Sequence, residues 1–151
     1  MKNESFNERI VQGEEFHVQV ANKLMMLSMN VSDMPKAKAF YADRLGLKVT
    51  TDYRKDENNW WVTLASPEGG ASITLARATG FESMKPGTMT LYFETSDIAV
   101  ANKELSLNGF TVNEIQDDLF GPGSAVKWFN LEDPDGNQVI LAQAHKSRAP
   151  F

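Results

Sequence analysis

The stretch WVTLASPEGGASITLAR (61–77) is followed later in the chain by a close copy of itself, WFNLEDPDGNQVILAQ (128–143). An offset of 128 − 61 = 67 residues places Trp61 on Trp128, and one residue fewer in the second turn shifts the later offset to 66. Each copy alternates apolar and polar residues, passes through a turn containing Pro and Gly, and alternates again. This pattern predicts two strands joined by a tight turn in each copy.

A second pair of similar stretches lies upstream of the first. VSDMPKAKAFYADRLGLKV (31–49) is answered by TSDIAVANKELSLNGFTV (95–112), with Ser-Asp on Ser-Asp at offset 64 and Gly46 on Gly109 at offset 63. Two different stretches therefore repeat in the same order. A period of this length occurring only twice indicates a duplicated module rather than a solenoid, which needs three or more copies.

Each copy is predicted to fold as βαβββ. In the first, Ser32-Asp33 offers a helix N-cap, Pro35 fits the first helical turn, and Gly46 stands where a left-handed C-cap belongs. The predicted strands are LMMLSMNV, LKVTTDY, WWVTLAS and ASITLAR, then TMTLYFET, FTVNEIQ, AVKWFNLE and QVILAQ. We expect an α+β protein with a polar lead segment (1–22), module 1 (23–79), a linker (80–87), module 2 (88–145) and a tail (146–151).

Composition limits the classes of function. The chain has 151 residues, 42% of them hydrophobic, which suits one globular domain, and it has no cysteine, which excludes disulfides and thiolate chemistry. A net charge of −5 and a pI near 5.0 argue against nucleic-acid binding and favour cationic ligands. No apolar run has the length of a signal peptide core or a membrane span, so we expect a cytoplasmic protein with no membrane partner.

Two stretches of this chain resemble the vicinal oxygen chelate superfamily, which includes glyoxalases, bleomycin resistance proteins and dioxygenases. The superfamily's strand-to-helix signature is similar to NVSDMPKAKAFYADRLGLKV, and its closing turn and last strand are similar to NLEDPDGNQVILAQ. The resemblance covers roughly residues 23–144. It implies that the strands of the two modules curl into a cup, that the helices lie outside it, and that the protein is a homodimer. Because the superfamily hosts many chemistries, the resemblance bears more on fold than on function.

The resemblance also implies where a metal would be bound. In metal-dependent members, His, Gln or Glu side chains on the first and last strands of the modules hold one divalent ion. The matching positions here are Met26, Thr74, Thr90 and Ile140. None is a carboxylate or an imidazole, His17 and His145 lie outside the strands, and DPDG (133–136) favours a tight turn over a calcium loop. We therefore predict no metal and no cofactor.

Residues two apart on a strand share a face, which predicts the lining of the cup. Leu27, Met29 and Val31 should face the helix in module 1, as should Leu91, Phe93 and Thr95 in module 2. The predicted ligand-binding residues are Met26, Ser28, Asn30, Trp61, Thr63, Thr74, Thr90, Tyr92, Glu94, Trp128, Asn130 and Ile140, with Phe120 from a neighbouring loop. Two indoles and a phenol favour a small organic ligand that is planar or cationic.

Several functions are compatible with this lining. The first is metal-free binding, including drug sequestration of the bleomycin-resistance kind. The second is a metal-independent lyase or isomerase in which Glu94 acts as acid or base and Tyr92 or Asn30 donates to an oxyanion, which requires partial burial of Glu94. A metal-dependent glyoxalase-like enzyme with atypical ligands is the third. In the fourth, a scaffold, Trp61 and Trp128 fill the cup themselves.

Overall fold

The computed structural model describes residues 19–78 and 85–143. In that part of the chain the elements are β1 (Met26–Asn30), α1 (Met34–Lys38), a π-helical turn (Ala39–Arg44), β2 (Lys48–Asp56), β3 (Asn59–Ala65), β4 (Ser72–Arg77), β5 (Thr90–Thr95), α2 (Ile98–Leu107), β6 (Trp128–Glu132) and β7 (Gln138–Gln143). His17, His145 and the tail lie outside the described residues, as do parts of the predicted lead segment and linker. Within the described ranges no helix is both long and apolar enough to cross a bilayer.

The strands form two small sheets. Sheet 1 has the order β1-β4-β3-β2 and sheet 2 the order β5-β7-β6. The first strand of each module runs parallel to the last, β1 beside β4 and β5 beside β7, while the remaining neighbours are antiparallel. The mixed α+β class and the duplicated arrangement of strands and helix are confirmed.

Both helices begin at the aspartate of a Ser-Asp pair. The Asp33 carboxylate accepts from the backbone N–H three residues later at 3.0 Å, and the Asp97 carboxylate does the same at 3.1 Å. Gly46 and Gly109 follow the helices with φ values of 83° and 91°. These left-handed conformations are those that the C-cap positions require, so the predicted limits of both helices hold.

One hydrophobic core joins the two modules. Its buried members come from both helices and from the helix-facing sides of both sheets: Met29, Val31, Met34, Ala37, Phe40, Tyr41, Leu47, Val62, Leu64, Ile73, Leu75, Leu91, Ile98, Leu105, Phe129, Leu131, Val139 and Leu141. The rings of Phe40 in module 1 and Phe110 in module 2 meet edge to face, with centroids 5.5 Å apart. The opposite faces of the two sheets therefore point away from this shared core.

The strand predicted over FTVNEIQ is wrong. This segment runs beside β6, but it makes only one isolated bridge there, between Gln116 and Trp128. Nearer its start, the side-chain oxygen of Asn113 accepts from the backbone N–H of Asn130 at 2.6 Å. A regular ladder would bring a backbone carbonyl to that N–H, so the Asn113 side chain replaces a strand contact. Module 2 consequently has three regular strands where four were predicted.

A buried polar cluster links the modules at the DPDG turn. The Tyr41 hydroxyl donates to Asp133 Oδ2 at 2.7 Å, and both residues are buried. Asp133 also accepts from the backbone N–H groups of Asp135 and Asn137 and from the Asn137 side chain. Burial, followed by the hydrogen bond to Asp133, raises the pKa of Tyr41 far above its usual range. The phenol therefore stays protonated and keeps donating to the carboxylate.

Candidate ligand-binding site

Each sheet has one face packed on the helices and one face turned away from them. Along β3, Val62 and Leu64 are buried, whereas Trp61 and Thr63 are partly exposed, and β6 alternates in the same way. We call the faces turned away from the helices open face 1 and open face 2. Open face 1 comprises Met26, Ser28, Asn30, Tyr53, Trp61, Thr63 and Thr74, and open face 2 comprises Thr90, Tyr92, Glu94, Trp128, Asn130, Glu132, Gln138 and Ile140.

The structure brings the predicted site residues together as two sets, one on each sheet. Among the described residues no strand pairing connects the sheets. The helix-facing sides of both sheets contribute to one core, so each open face points away from that core. Within one chain, then, the residues predicted to line a cup form two separate half-surfaces.

The centre of open face 1 is a short run of side-chain hydrogen bonds. The Thr63 and Thr74 hydroxyl oxygens are 2.9 Å apart, and the Thr74 hydroxyl donates to the Met26 thioether sulfur at 2.8 Å. Thr74 is buried, with 5% of its surface exposed, while Thr63 is partly exposed. The centre of this face thus offers the Thr63 oxygen to solvent, beside the exposed Ser28 hydroxyl on β1.

Aromatic rings flank that centre. Tyr53 on β2 lies directly across from Trp61 on β3, and their ring centroids are 5.8 Å apart with an interplanar angle of 31°. Tyr53 is 55% exposed. A large, accessible aromatic surface of this kind suits stacking against a planar ring.

Open face 2 repeats the arrangement with different side chains. Tyr92, which is 62% exposed, pairs with Ile140 on the neighbouring strand. Glu94 and Trp128 both pair with Ala142, which lies between them on β7, so a carboxylate and an indole flank one small residue. The Trp128 indole N–H donates to Asp118 Oδ1 at 3.0 Å, which fixes the ring on the sheet.

A run of hydrogen bonds also crosses the centre of open face 2. The Asn130 side-chain nitrogen donates to Gln138 Oε1 at 2.9 Å, and the Gln138 nitrogen donates to Glu132 Oε2 at 3.3 Å. Asn130 occupies the position equivalent to Thr63, since 63 + 67 = 130. The two modules thus place a partly exposed polar side chain at the same point of their open faces.

Phe120 belongs to the loop between α2 and β6. It is exposed and lies in a turn where its backbone N–H donates to the Ser124 hydroxyl at 3.3 Å. The loop is tied to open face 2 through Asp118, the partner of the Trp128 indole. Phe120 is therefore carried beside open face 2, and its contact with a ligand remains a prediction.

A family model described as the Glyoxalase/Bleomycin resistance protein/Dioxygenase superfamily matches residues 21–141. The chain belongs to this superfamily. The match spans both modules and both open faces, and it agrees with the sheet topology. The resemblance read from the two signature stretches is confirmed.

Solved and curated relatives agree with this membership of the superfamily. TnmS3, an antibiotic binding protein from Streptomyces sp. CB03234, is 25% identical, with a TM-score of 0.71 over 85% of this chain and 100% of that one. A superfamily member from Sphaerobacter thermophilus DSM 20745 is 26% identical, with a TM-score of 0.68 over 84% of this chain and 100% of its own. The uncharacterized protein YetH of Bacillus subtilis (strain 168) is 24% identical over 124 residues, 78% of this chain and 94% of YetH.

The superfamily's metal positions do not fit a divalent ion in this member. Met26 and Thr74 are hydrogen-bonded directly to each other, and Thr90 and Ile140 supply only a hydroxyl and a hydrocarbon. In the described part of the chain, no group of three or more His, Cys, Asp or Glu side chains could hold a metal. Thioether, hydroxyl and methyl groups lack the anionic and imidazole donors that such ions need.

Some residues of the open faces were absent from the sequence-based prediction. They are Tyr53, Glu132 and Gln138, together with the Trp128 partner Asp118. Tyr53 could have been found from the short turn in KDENN, because a tight hairpin turn there brings Tyr53 opposite Trp61. No comparable signal in the sequence points to Asp118.

Proposed function

We propose that this superfamily member binds a planar small organic molecule on its open faces without a metal, in the manner of an antibiotic-binding protein. The observation that carries the proposal is that accessible aromatic rings share the open faces with metal positions whose side chains cannot bind a divalent ion. Tyr53 and Trp61 on one face, and Tyr92 and Trp128 on the other, offer stacking surfaces, and the two tryptophans occupy equivalent positions of the repeat. TnmS3, which is described as an antibiotic binding protein, supports this assignment through fold and sequence similarity.

The proposal includes a second copy of the chain. Small-molecule sites commonly enclose about 70–90% of the ligand surface. One open face by itself leaves the far side of a planar ligand in water, and among the described residues no strand pairing joins the two faces of one chain. In a homodimer, open face 1 of one protomer would cover open face 2 of its partner, and the ligand would be held between aromatic rings from both.

A metal-independent enzyme is the weaker hypothesis. Glu94 is exposed in the single chain, so the partial burial that this role requires would have to come from the partner protomer. A scaffold with self-filled faces is also less favoured, because Tyr53 and Tyr92 leave more than half of their surface accessible.

Tryptophan fluorescence provides the test. The purified protein is titrated with planar aromatic drugs, beginning with 9-aminoacridine, after its metal content has been measured. We expect no stoichiometric metal and saturable quenching that is reduced in Trp61→Phe and in Trp128→Phe. Trp60→Phe is the matched control, because Trp60 adjoins Trp61 but faces the helix side of the sheet, where its indole N–H donates to Asp52.

Three outcomes decide the matter. Saturable quenching that depends on Trp61 and Trp128 supports binding on the open faces. Quenching that is lost only in Trp60→Phe places the ligand elsewhere and contradicts the proposal. Stoichiometric metal that survives dialysis would favour the glyoxalase-like enzyme with atypical ligands.

A further inference from the structure

The hydrogen bonds at the centre of open face 1 have a fixed direction. A thioether sulfur carries no proton, so the contact of 2.8 Å between Thr74 and Met26 requires the Thr74 proton to point at sulfur. A hydroxyl has one proton only. The contact of 2.9 Å between Thr63 and Thr74 must therefore use the Thr63 proton. Thr63 has no proton left for a ligand and presents only lone pairs to the open face.

The equivalent position on open face 2 is oriented by a different terminal group. The Glu132 carboxylate can only accept, so Gln138 turns its nitrogen toward Glu132 and its oxygen toward Asn130. Asn130 must then turn its nitrogen toward Gln138, which leaves Oδ1 on the other side of the amide. Among the described residues, no N–H or O–H group donates to Asn130 Oδ1.

We propose that the centre of each open face selects ligands that carry N–H or O–H donor groups, through the acceptor atoms Thr63 Oγ1 and Asn130 Oδ1. This inference rests on the proposed function and adds the chemical class of ligand to it: a planar molecule with amine, amidine or phenol donors. Two unrelated sets of side chains thus leave a hydrogen-bond acceptor atom facing outward at equivalent positions of the repeat. Open face 2 also carries Glu94 and Glu132, whose negative charge attracts planar cations whether or not they carry donors.

Charge and donor capacity must be separated in the test. 9-Aminoacridine is a planar cation with N–H donors, whereas 10-methylacridinium is a planar cation of similar shape with none. One hydrogen bond of ordinary strength corresponds to about a fivefold change in affinity. We therefore expect the wild-type protein to bind 9-aminoacridine about fivefold more tightly for each acceptor used, as measured by isothermal titration calorimetry.

Five variants locate the effect. Thr63→Val and Asn130→Leu should each lower affinity for 9-aminoacridine while leaving that for 10-methylacridinium nearly constant, and the double variant should show no preference. Thr63→Ser keeps the hydroxyl and should retain the preference. Thr88→Val is the control, because the Thr88 hydroxyl donates to the Lys85 carbonyl in the turn before β5 and is not one of the proposed acceptors.

Met26→Leu tests the direction of the hydrogen bonds. Without the sulfur acceptor, the Thr74 proton is free to point at Thr63, and Thr63 is then able to donate outward. We expect this variant still to bind 10-methylacridinium and to lose part of its preference for 9-aminoacridine. A merely apolar role for Met26 predicts no change in the preference, because leucine has similar volume.

The outcomes separate the two proposals. Equal affinities for the two cations in the wild-type protein, or a preference that persists in the double variant, overturns the donor selection but leaves planar-ligand binding intact. Failure of both cations to bind overturns the donor selection and the proposed function together. A preference that falls in Thr63→Val and in Asn130→Leu, disappears in the double variant, and persists in Thr63→Ser and Thr88→Val supports the inference.

Discussion

Removing the Tyr41 hydroxyl should destabilise the whole protein, not one module. Tyr41→Phe keeps the ring, which packs edge to face on Phe40 with centroids 4.9 Å apart, and deletes only the hydrogen bond of 2.7 Å to Asp133. Hydrogen bonds to charged groups contribute about 1.5–3 kcal/mol. In this variant Asp133 Oδ2 still accepts a hydrogen bond from the Asn137 side chain, so the buried oxygen is not left without a donor. We expect a loss of about 2 kcal/mol in the free energy of unfolding.

Urea unfolding followed by circular dichroism and by tryptophan fluorescence is the assay. In a thermal scan of a chain of this size, the same loss of about 2 kcal/mol would lower Tm by roughly 4–8 °C. Both probes should report the same unfolding midpoint, because the hydrogen bond joins the π-helical turn of module 1 to the DPDG turn of module 2. The cycle of Tyr41→Phe, Asp133→Asn and the double variant measures the coupling energy directly.

Tyr53→Phe is the matched control, because the Tyr53 ring lies on open face 1 and is more than half exposed. It should change the free energy of unfolding by less than about 0.5 kcal/mol. If Tyr41→Phe behaves like this control, or if its cost is unchanged when Asp133 is already asparagine, the argument for a buried bond between modules is refuted.

Two further perturbations test the fold. A Cβ at Gly87 would collide with the Asp135 carbonyl oxygen, so Gly87→Ala should lower the free energy of unfolding by about 3 kcal/mol or more. Gly123→Ala is the control, because φ is also positive there but the space is open, and it should cost about 1–2 kcal/mol. Thermal denaturation of both variants measures the difference. The hydrogen bond from Lys38 lowers the pKa of Asp52 below its ordinary value of 3.8. Because the folded-state pKa is the lower one, Asp52→Asn should lose roughly 0.5–1 kcal/mol at neutral pH, and the difference should vanish as pH falls below 3.8, as urea midpoints across pH will show.

Local patterns in the sequence were sufficient for much of the fold. The Ser-Asp pairs, the glycines that end the helices and the alternation along β3 and β6 are all decided by residues within one turn or one strand. The duplication then indicated the order of elements in the second module from the first. Such features depend on nearby backbone geometry, which a sequence displays directly.

Other features depended on contacts between distant residues. FTVNEIQ has a strand-like composition, but the Asn113 side chain takes the N–H of Asn130 that a fourth strand would have used. The direction of the hydrogen bonds at Thr63 required the distances to Thr74 and Met26, which come from other strands. The alternation of residues located the open faces, but only the three-dimensional register revealed their polarity.

The contact between Tyr41 and Asp133 occurs once, although the module occurs twice. At offset 67 the counterpart of Asp133 is Ser66, and at offset 64 the counterpart of Tyr41 is Leu105, so the reciprocal pair has neither a carboxylate nor a phenol. The halves are thus no longer interchangeable: two copies of either half would lack one side of this contact. Replacing one half by a copy of the other would remove this contact, whereas a circular permutation that keeps one copy of each half would keep both of its residues.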